Sequence, residues 1–302
     1  MKVFIFFESR YKGLSSLLKN KTFTQKEMGE ITWFMTFIKF LQSKSNTTVI
    51  HCSDKTNFKN CLLKYQIYNP FLIMDYITIP KNLELINFDN TYCMCYWGKD
   101  ETRIKKLGKQ NGKFLSLKNI LTPFNYYNQN NYLGYNLDIL CGELHDKIFN
   151  EKYGILWGKD IQYIDVSLVS HLCKMGIRFY STSKTKLHIN GVTNLGIIPQ
   201  KEWHLLLDNC KFILGSGNPK SGPTILEALY YKTPLFCPSI QVPESCIGSH
   251  NIHLINDMNA HDIYDKIDSV EFINDTKTKS LINSSDYNLR VCKIFDLMPN
   301  SN

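Results

Sequence analysis

No apolar run in this sequence is long enough to cross a bilayer, which takes about 20 residues. The opening stretch, Met1 to Phe7, is apolar but is closed by Glu8 and Arg10, too soon for a signal peptide or membrane anchor. It reads as a first strand, and the expectation is a cytoplasmic protein without a membrane span. The sequence also lacks paired C-x-x-C units at zinc-finger spacing. Its ten cysteines comprise one C-x-C pair, Cys93 and Cys95, and others isolated within apolar runs. That argues against a disulfide framework and a zinc site, and for buried free thiols in a reducing compartment. A clustered stripe of positive charge is missing too. Lys and Arg number 35 against 27 acidic residues, for a net charge of +8, but they are scattered, so no nucleic-acid partner is indicated. The surplus suits anionic small ligands.

What remains is a globular chain. Hydrophobic residues make up 43% and charged residues 21%, enough apolar surface for a real core. Its 302 residues allow two domains of about 150 each. The richness in Asn, Lys and Ile fits an AT-rich genome, such as that of a virus or a microbe.

Apolar periodicity alternates between strand and helix. Residues 2–8 read as a strand, Met28 to Ser43 as a helix with Ile31, Phe34, Met35, Ile38 and Leu41 inward, and Thr47 to Cys52 as a strand. Lys55 to Tyr65 reads as a helix, Phe71 to Ile79 as an apolar run ended by Pro80, and Tyr92 to Trp97 as a strand. From Gly98 to Asn136 the pattern weakens into a long loop with one or two short elements. A second alternation starts near Tyr153. Gly154 to Trp157 reads as a strand leading into Gly158-Lys159, Ile164 to Met175 as a helix, and Ile177 to Tyr180 as a strand ending at Ser181 and Ser183. Asn194 to Pro199 reads as a turn with a short strand. Lys201 to Asn209 reads as a helix with Trp203, Leu206 and Leu207 inward, and His261 to Ile267 and Tyr287 to Leu297 as closing helices. Such alternation predicts an α/β fold with parallel sheets covered by helices. The division expected is residues 1–145, 146–285, and a C-terminal helix and tail over 286–302.

The most informative stretch is Lys211 to Pro238, K-F-I-L-G-S-G-N-P-K-S-G-P-T-I-L-E-A-L-Y-Y-K-T-P-L-F-C-P. It reads as strand, Gly-rich turn, helix and strand. Gly215 and Gly217 mark the tight turn, and Gly222-Pro223 opens the helix, where a proline lacks only an N–H that would go unpaired. A turn of this kind aims backbone N–H groups at one point, which suits a phosphate. Glu227 follows Thr224 by three residues on the same helix face, and a carboxylate there can accept hydrogen bonds from ribose hydroxyls. The bland alternative is a Gly-rich structural turn.

This stretch resembles the donor-binding segment of the N-acetylglucosaminyltransferase V family, the Golgi enzymes that branch N-glycans. The family's run reads approximately G-x-G-x-P-x-x-G-P-x-x-L-E-A. Gly215, Gly217, Pro219, Gly222, Pro223, Leu226, Glu227 and Ala228 stand at those spacings. Met28-Gly29-Glu30-Ile31-Thr32-Trp33 is similar to the family's G-E-L-V-Q-W, and Asn131-Tyr132-Leu133-Gly134-Tyr135 to its N-S-F-L-G-F. The resemblance implies the GT-B architecture, two Rossmann-like domains facing across a cleft. It further implies an inverting glycosyltransferase with a UDP-sugar donor, UDP-N-acetylglucosamine first, and a glycan acceptor. It also implies that Glu30 is the catalytic base; acidic residues in a helix's first turn are otherwise common for stability alone.

An inverting transferase also needs a sink for the charge on the departing diphosphate. Many use a metal held by D-x-D, and no D-x-D occurs here. The expectation is metal-independent transfer with no cofactor, the sink being the N–H groups of 215–224 with Lys159. Ser181 is a further candidate phosphate contact, Gly196 and Ile198 candidate backbone contacts to uracil, and His250 a weaker one to the diphosphate. Where the relatives carry an acidic residue before Gly-Pro, this chain has Ser221, which leaves UDP-xylose and UDP-glucose open as donors. A nucleotide-sugar epimerase and a non-catalytic sugar-nucleotide binder are the competing readings.

Overall fold

The computed structural model describes residues 1–7, 29–75, 78–79, 82–85, 87, 89–96, 117–125, 131–141, 153–158, 164–215, 222–256 and 258–297. In chain order the first elements are β1 (Lys2–Phe7), α1 (Gly29–Gln42), β2 (Thr47–Cys52), α2 (Lys55–Tyr65), β3 (Phe71–Asp75), β4 (Thr91–Met94), β5 (Ile120–Thr122), β6 (Asn131–Tyr132) and α3 (Leu137–Leu140). They are followed by β7 (Tyr153–Trp157), α4 (Val166–Lys174), β8 (Arg178–Ser181), β9 (Val192–Asn194), α5 (Gln200–Asn209), β10 (Phe212–Gly215), α6 (Thr224–Tyr230) and β11 (Leu235–Cys237). β12 (Ile252–Leu254), α7 (Ala260–Ser269), α8 (Thr276–Ile282) and α9 (Ser284–Phe295) close the chain. The chain divides into two compact units. One comprises Met1–Thr22, Met28–Ile139 and Ser284–Asn302; the other comprises Phe23–Glu27 and Leu140–Asn283.

The sheet of the first unit has the order β2-β1-β3-β4-β5-β6, with every recorded pairing parallel. Its central strands β1 and β3 are apolar without alternation, from Val3 to Phe7 and from Phe71 to Met74, because both faces are covered there. On one face Val3, Ile5, Phe7, Leu72, Met74 and Cys93 pack with Phe58 of α2, whose ring stacks on Phe7 at 4.5 Å. On the other, Phe6 meets Phe37 of α1 at 5.6 Å and Phe4 meets Phe295 of α9 at 5.2 Å. The C-terminal helix, set apart in the sequence reading, therefore packs into the first unit. Burial of Phe295 alone contributes about 1.5–3 kcal/mol. The Lys2 ammonium ties down the end of α9, donating to the Phe295 carbonyl at 2.7 Å and pairing with Asp296 at 3.0 Å.

The second unit holds a sheet of order β12-β11-β10-β7-β8-β9, again parallel in every recorded pairing. Its core on one face joins Phe179, Phe212 and Phe236 to Leu172 of α4 and to Ile263 and Ile267 of α7. Phe212 meets both other rings edge-on at 5.8 Å. Capping marks the helix starts. Asp165 accepts from the Leu168 N–H, and Asn259 with Asp262 forms a reciprocal capping box at α7. Two sequence expectations need adjustment. The short strand expected within 194–199 lies before the turn, as β9, because Val192–Asn194 pairs with β8. β12 and α8 were not anticipated at all.

No helix among the described residues is long and apolar enough to cross a membrane. No group of three or more His, Cys, Asp or Glu among them is placed to hold a metal ion. The ten cysteines are all free thiols, nine of them buried and Cys61 half-buried. Burial pushes the Cys237 and Cys246 thiols up to about 12, far from reactive thiolates.

Candidate functional site

In the second unit β7 leads outward to β8 and β9 on one side. The chain then returns, so that β10 lies against β7, and continues to β11 and β12 on the other side. The strand order therefore reverses between β7 and β10. Ligands of open α/β sheets bind outside the carboxyl ends of the strands at such a point. Register places the predicted positions along this edge. Gly215 pairs with Trp157, Leu156 with Ser181, and Ser181 with Asn194. At Gly215 a Cβ would lie 2.7 Å from both the Cβ and the carbonyl oxygen of Trp157, so the close approach of the two strand ends excludes a side chain.

Ser181 is buried, and its hydroxyl accepts from the Ser183 N–H at 3.3 Å. Its carbonyl accepts from the Leu195 N–H at 2.9 Å, which draws the turn at 195–198 over the end of β8. Gly196 turns there with φ +68, a left-handed conformation that favours glycine. Ile198 lines a groove of about 330 Å³ with Tyr153, Tyr180, Leu206 and Cys210. Gly222, Pro223 and Thr224 are half-buried at the opening of α6, with Pro223 at φ −65. Lys159, Gly217 and Ser221 lie outside the described residues. His250 is exposed, and its N–H donates to Asp275 at 3.2 Å.

Glu227 is the buried hub of this region, 3% exposed. Trp203 donates through Nε1 to its Oε2 at 3.1 Å, His204 Nε2 lies 3.1 Å from Oε1, and Gln200 donates through Nε2 to Oε1 at 3.4 Å. The His204 ring in turn lies against Tyr231 at 5.3 Å. Gln200, Trp203 and His204 stand at i, i+3 and i+4 on one face of α5, the spacing that makes neighbours on a helix. Sequence reasoning missed this trio as a unit. Its signal was that spacing, but nothing local ties it to an acid on another helix.

In the first unit Glu30 is buried in the first turn of α1. Three residues on, Trp33 donates its indole N–H to the carbonyl of Gly134 at 2.7 Å. The two stretches singled out in this half, 28–33 and 131–135, are thereby brought together. Arg290 of α9 holds the same segment, donating through Nε to the Leu133 carbonyl at 3.2 Å and lying over the Tyr132 ring at 4.4 Å. Asp75, missed in the sequence, ends β3 beside the reversal of strand order in this sheet. It is buried and accepts from the N–H and hydroxyl of Thr78 at 2.6 and 3.1 Å. Its signal was an acid closing the apolar run Phe71–Met74.

No family model matches the sequence, and no curated protein does either. Solved structures do match its fold. A UDP-GlcNAc 2-epimerase from Methanocaldococcus jannaschii is 10% identical with a TM-score of 0.57, over 97% of this chain and 99% of that one. The S. aureus MnaA structure with UDP is 9% identical with a TM-score of 0.54, over 100% of this chain and 98% of that one. A Neisseria meningitidis UDP-GlcNAc 2-epimerase bound to UDP-GlcNAc is 10% identical with a TM-score of 0.51, over 97% of this chain and 100% of that one. The fold is GT-B. At these identities the likeness is one of fold, and both units carry the GT-B pattern of a parallel sheet between helix layers.

Proposed function

We propose that this protein binds a UDP-sugar through its second unit and transfers the sugar, with inversion and without a metal, to a hydroxyl of a glycan acceptor. UDP-GlcNAc is the first donor to test. The observation that carries the reading is the run 211–238. Its first strand, β10, ends at the strand-order reversal of a GT-B sheet, and its spacing resembles the donor segment of the N-acetylglucosaminyltransferase V family. Solved proteins of similar fold are named for UDP and UDP-GlcNAc complexes.

In this mechanism the acceptor hydroxyl gives its proton to the Glu30 carboxylate as its oxygen attacks the anomeric carbon. The bond from that carbon to the diphosphate oxygen breaks, and UDP leaves with the electron pair. Backbone N–H groups of the 215–224 segment and Lys159 stabilise its charge. Glu227 accepts from the ribose, and Ser181, Gly196 and Ile198 border the nucleotide. Ser221, in place of the family's acid, keeps UDP-xylose and UDP-glucose as alternative donors.

The second reading is a UDP-sugar epimerase, favoured by the two epimerase structures described above. Titration calorimetry in EDTA against UDP and a panel of UDP- and GDP-sugars tests both readings. Binding of UDP without metal is expected; no nucleotide binding removes both. Incubation with the preferred UDP-sugar then separates them. An epimerase changes the sugar with no acceptor present, whereas a transferase leaves it intact until a glycan acceptor is added.

A further inference from the structure

The surroundings of Glu227 specify how it can meet a ligand. A carboxylate offers about four acceptor positions, two on each oxygen. Oε1 is taken by His204 at 3.1 Å and Gln200 at 3.4 Å, and Oε2 by Trp203 at 3.1 Å. Among the described residues these are its recorded partners, which leaves one acceptor position, on Oε2. The group is only 3% exposed, so bulk water does little to fill it. The three donors lie within about one turn of one helix, so the carboxylate is held at both oxygens.

We infer that Trp203 and His204 are positioning residues for Glu227, and that they restrict it to reading one ribose hydroxyl of the bound nucleotide. This rests on the UDP-sugar reading above. An unclamped carboxylate bridges the neighbouring 2′- and 3′-hydroxyls with its two oxygens. The clamped one engages a single hydroxyl and is indifferent to the other. The site is thereby selective for ribonucleoside diphosphates through one hydroxyl. The contact with His204 requires the imidazole to carry its proton on Nε2, and a glutamine at that position supplies a donor of similar reach.

The test is calorimetric titration of the wild-type chain with UDP, 2′-deoxy-UDP and 3′-deoxy-UDP. One analogue is expected to lose roughly ten- to hundredfold in affinity, the effect of one hydrogen bond to a charged group, while the other stays close to UDP. Equal losses with both analogues, or none with either, overturn the inference without touching the UDP reading. Failure of the wild type to bind UDP removes the UDP reading itself, and the inference with it. Variants then test positioning. Trp203→Phe and His204→Leu should bring the two analogues towards equal affinity, and His204→Gln should restore the wild-type ratio. Circular dichroism confirms that each variant is folded. An unchanged ratio in folded Trp203→Phe and His204→Leu means that the trio only joins α5 to α6. Where these variants do not fold, the wild-type ratio and His204→Gln still decide.

Discussion

The indole N–H of Trp33 donates to the backbone carbonyl of Gly134 at 2.7 Å, across 101 residues of sequence and inside the core of the first unit. Both residues are buried, and Gly134 adopts φ +80, a left-handed conformation that favours glycine. Trp33→Phe keeps most of the ring packing but leaves the carbonyl without its donor. The expected loss is about 1–3 kcal/mol, read from urea denaturation. UDP affinity should stay at the wild-type level, because the change is confined to the first unit. Unchanged stability would mean that the carbonyl finds another donor.

Glu30 lies one turn before that indole on α1. In Glu30→Gln the shape is kept and the base is lost, so turnover should fall about 10²–10⁴-fold with UDP binding intact. Measuring transfer and UDP affinity on the same preparation separates the roles. Near-normal turnover removes Glu30 as the base; lost UDP binding would give it a part in donor recognition instead.

The central strands were legible because they are buried on both faces. Val3 to Phe7 and Phe71 to Met74 are unbroken apolar runs, and α1 carries apolar residues at helical spacing. Elements held by polar contacts were not legible. α8 buries only Thr278 and is placed by the Asp275 cap, so it has no apolar period to detect. β12 places His253 between its two apolar residues and buries only Ile252, so no apolar run marks it. At the candidate site the same division holds. The glycines at 215 and 222 and the acid at 227 form a local motif. The donors that surround Glu227 lie 23 to 27 residues away on another helix, and only folding joins them.

Asp275 makes stability depend on acid. Burial pushes its carboxyl up, but the hydroxyl and N–H of Thr278 and the N–H of His250 outweigh this and hold it below the ordinary 3.8. The folded state therefore binds that proton more weakly than the unfolded chain. Its contribution is complete above the ordinary carboxylate range and is lost as pH falls through the lowered folded value. Asp275→Asn should be less stable than wild type near pH 5, with the gap narrowing below about pH 4. Urea midpoints across that range check it. A gap independent of pH would assign the effect to the cap geometry alone.

Among the described glycines of the second unit, an added Cβ meets a neighbour most closely at Gly154, which pairs with Phe212 across β7 and β10. A Cβ there would sit 2.3 Å from the Phe212 Cζ and 2.7 Å from both Cε atoms. The ring cannot swing aside freely, because it packs edge-on against Phe179 and Phe236. Gly154→Ala should therefore cost about 1–3 kcal/mol through overpacking. Phe212→Leu in the same chain opens space where the methyl group points. The double variant should be more stable than the sum of the single losses allows, a favourable coupling visible in a double-mutant cycle. Phe212 also opens β10, and β10 ends at Gly215 on the candidate ligand edge. Displacement of this strand should lower UDP affinity in Gly154→Ala, and the double variant should recover affinity along with stability. Recovered stability with affinity still lost would mean that the ligand edge senses the Phe212 ring itself, not the position of the strand.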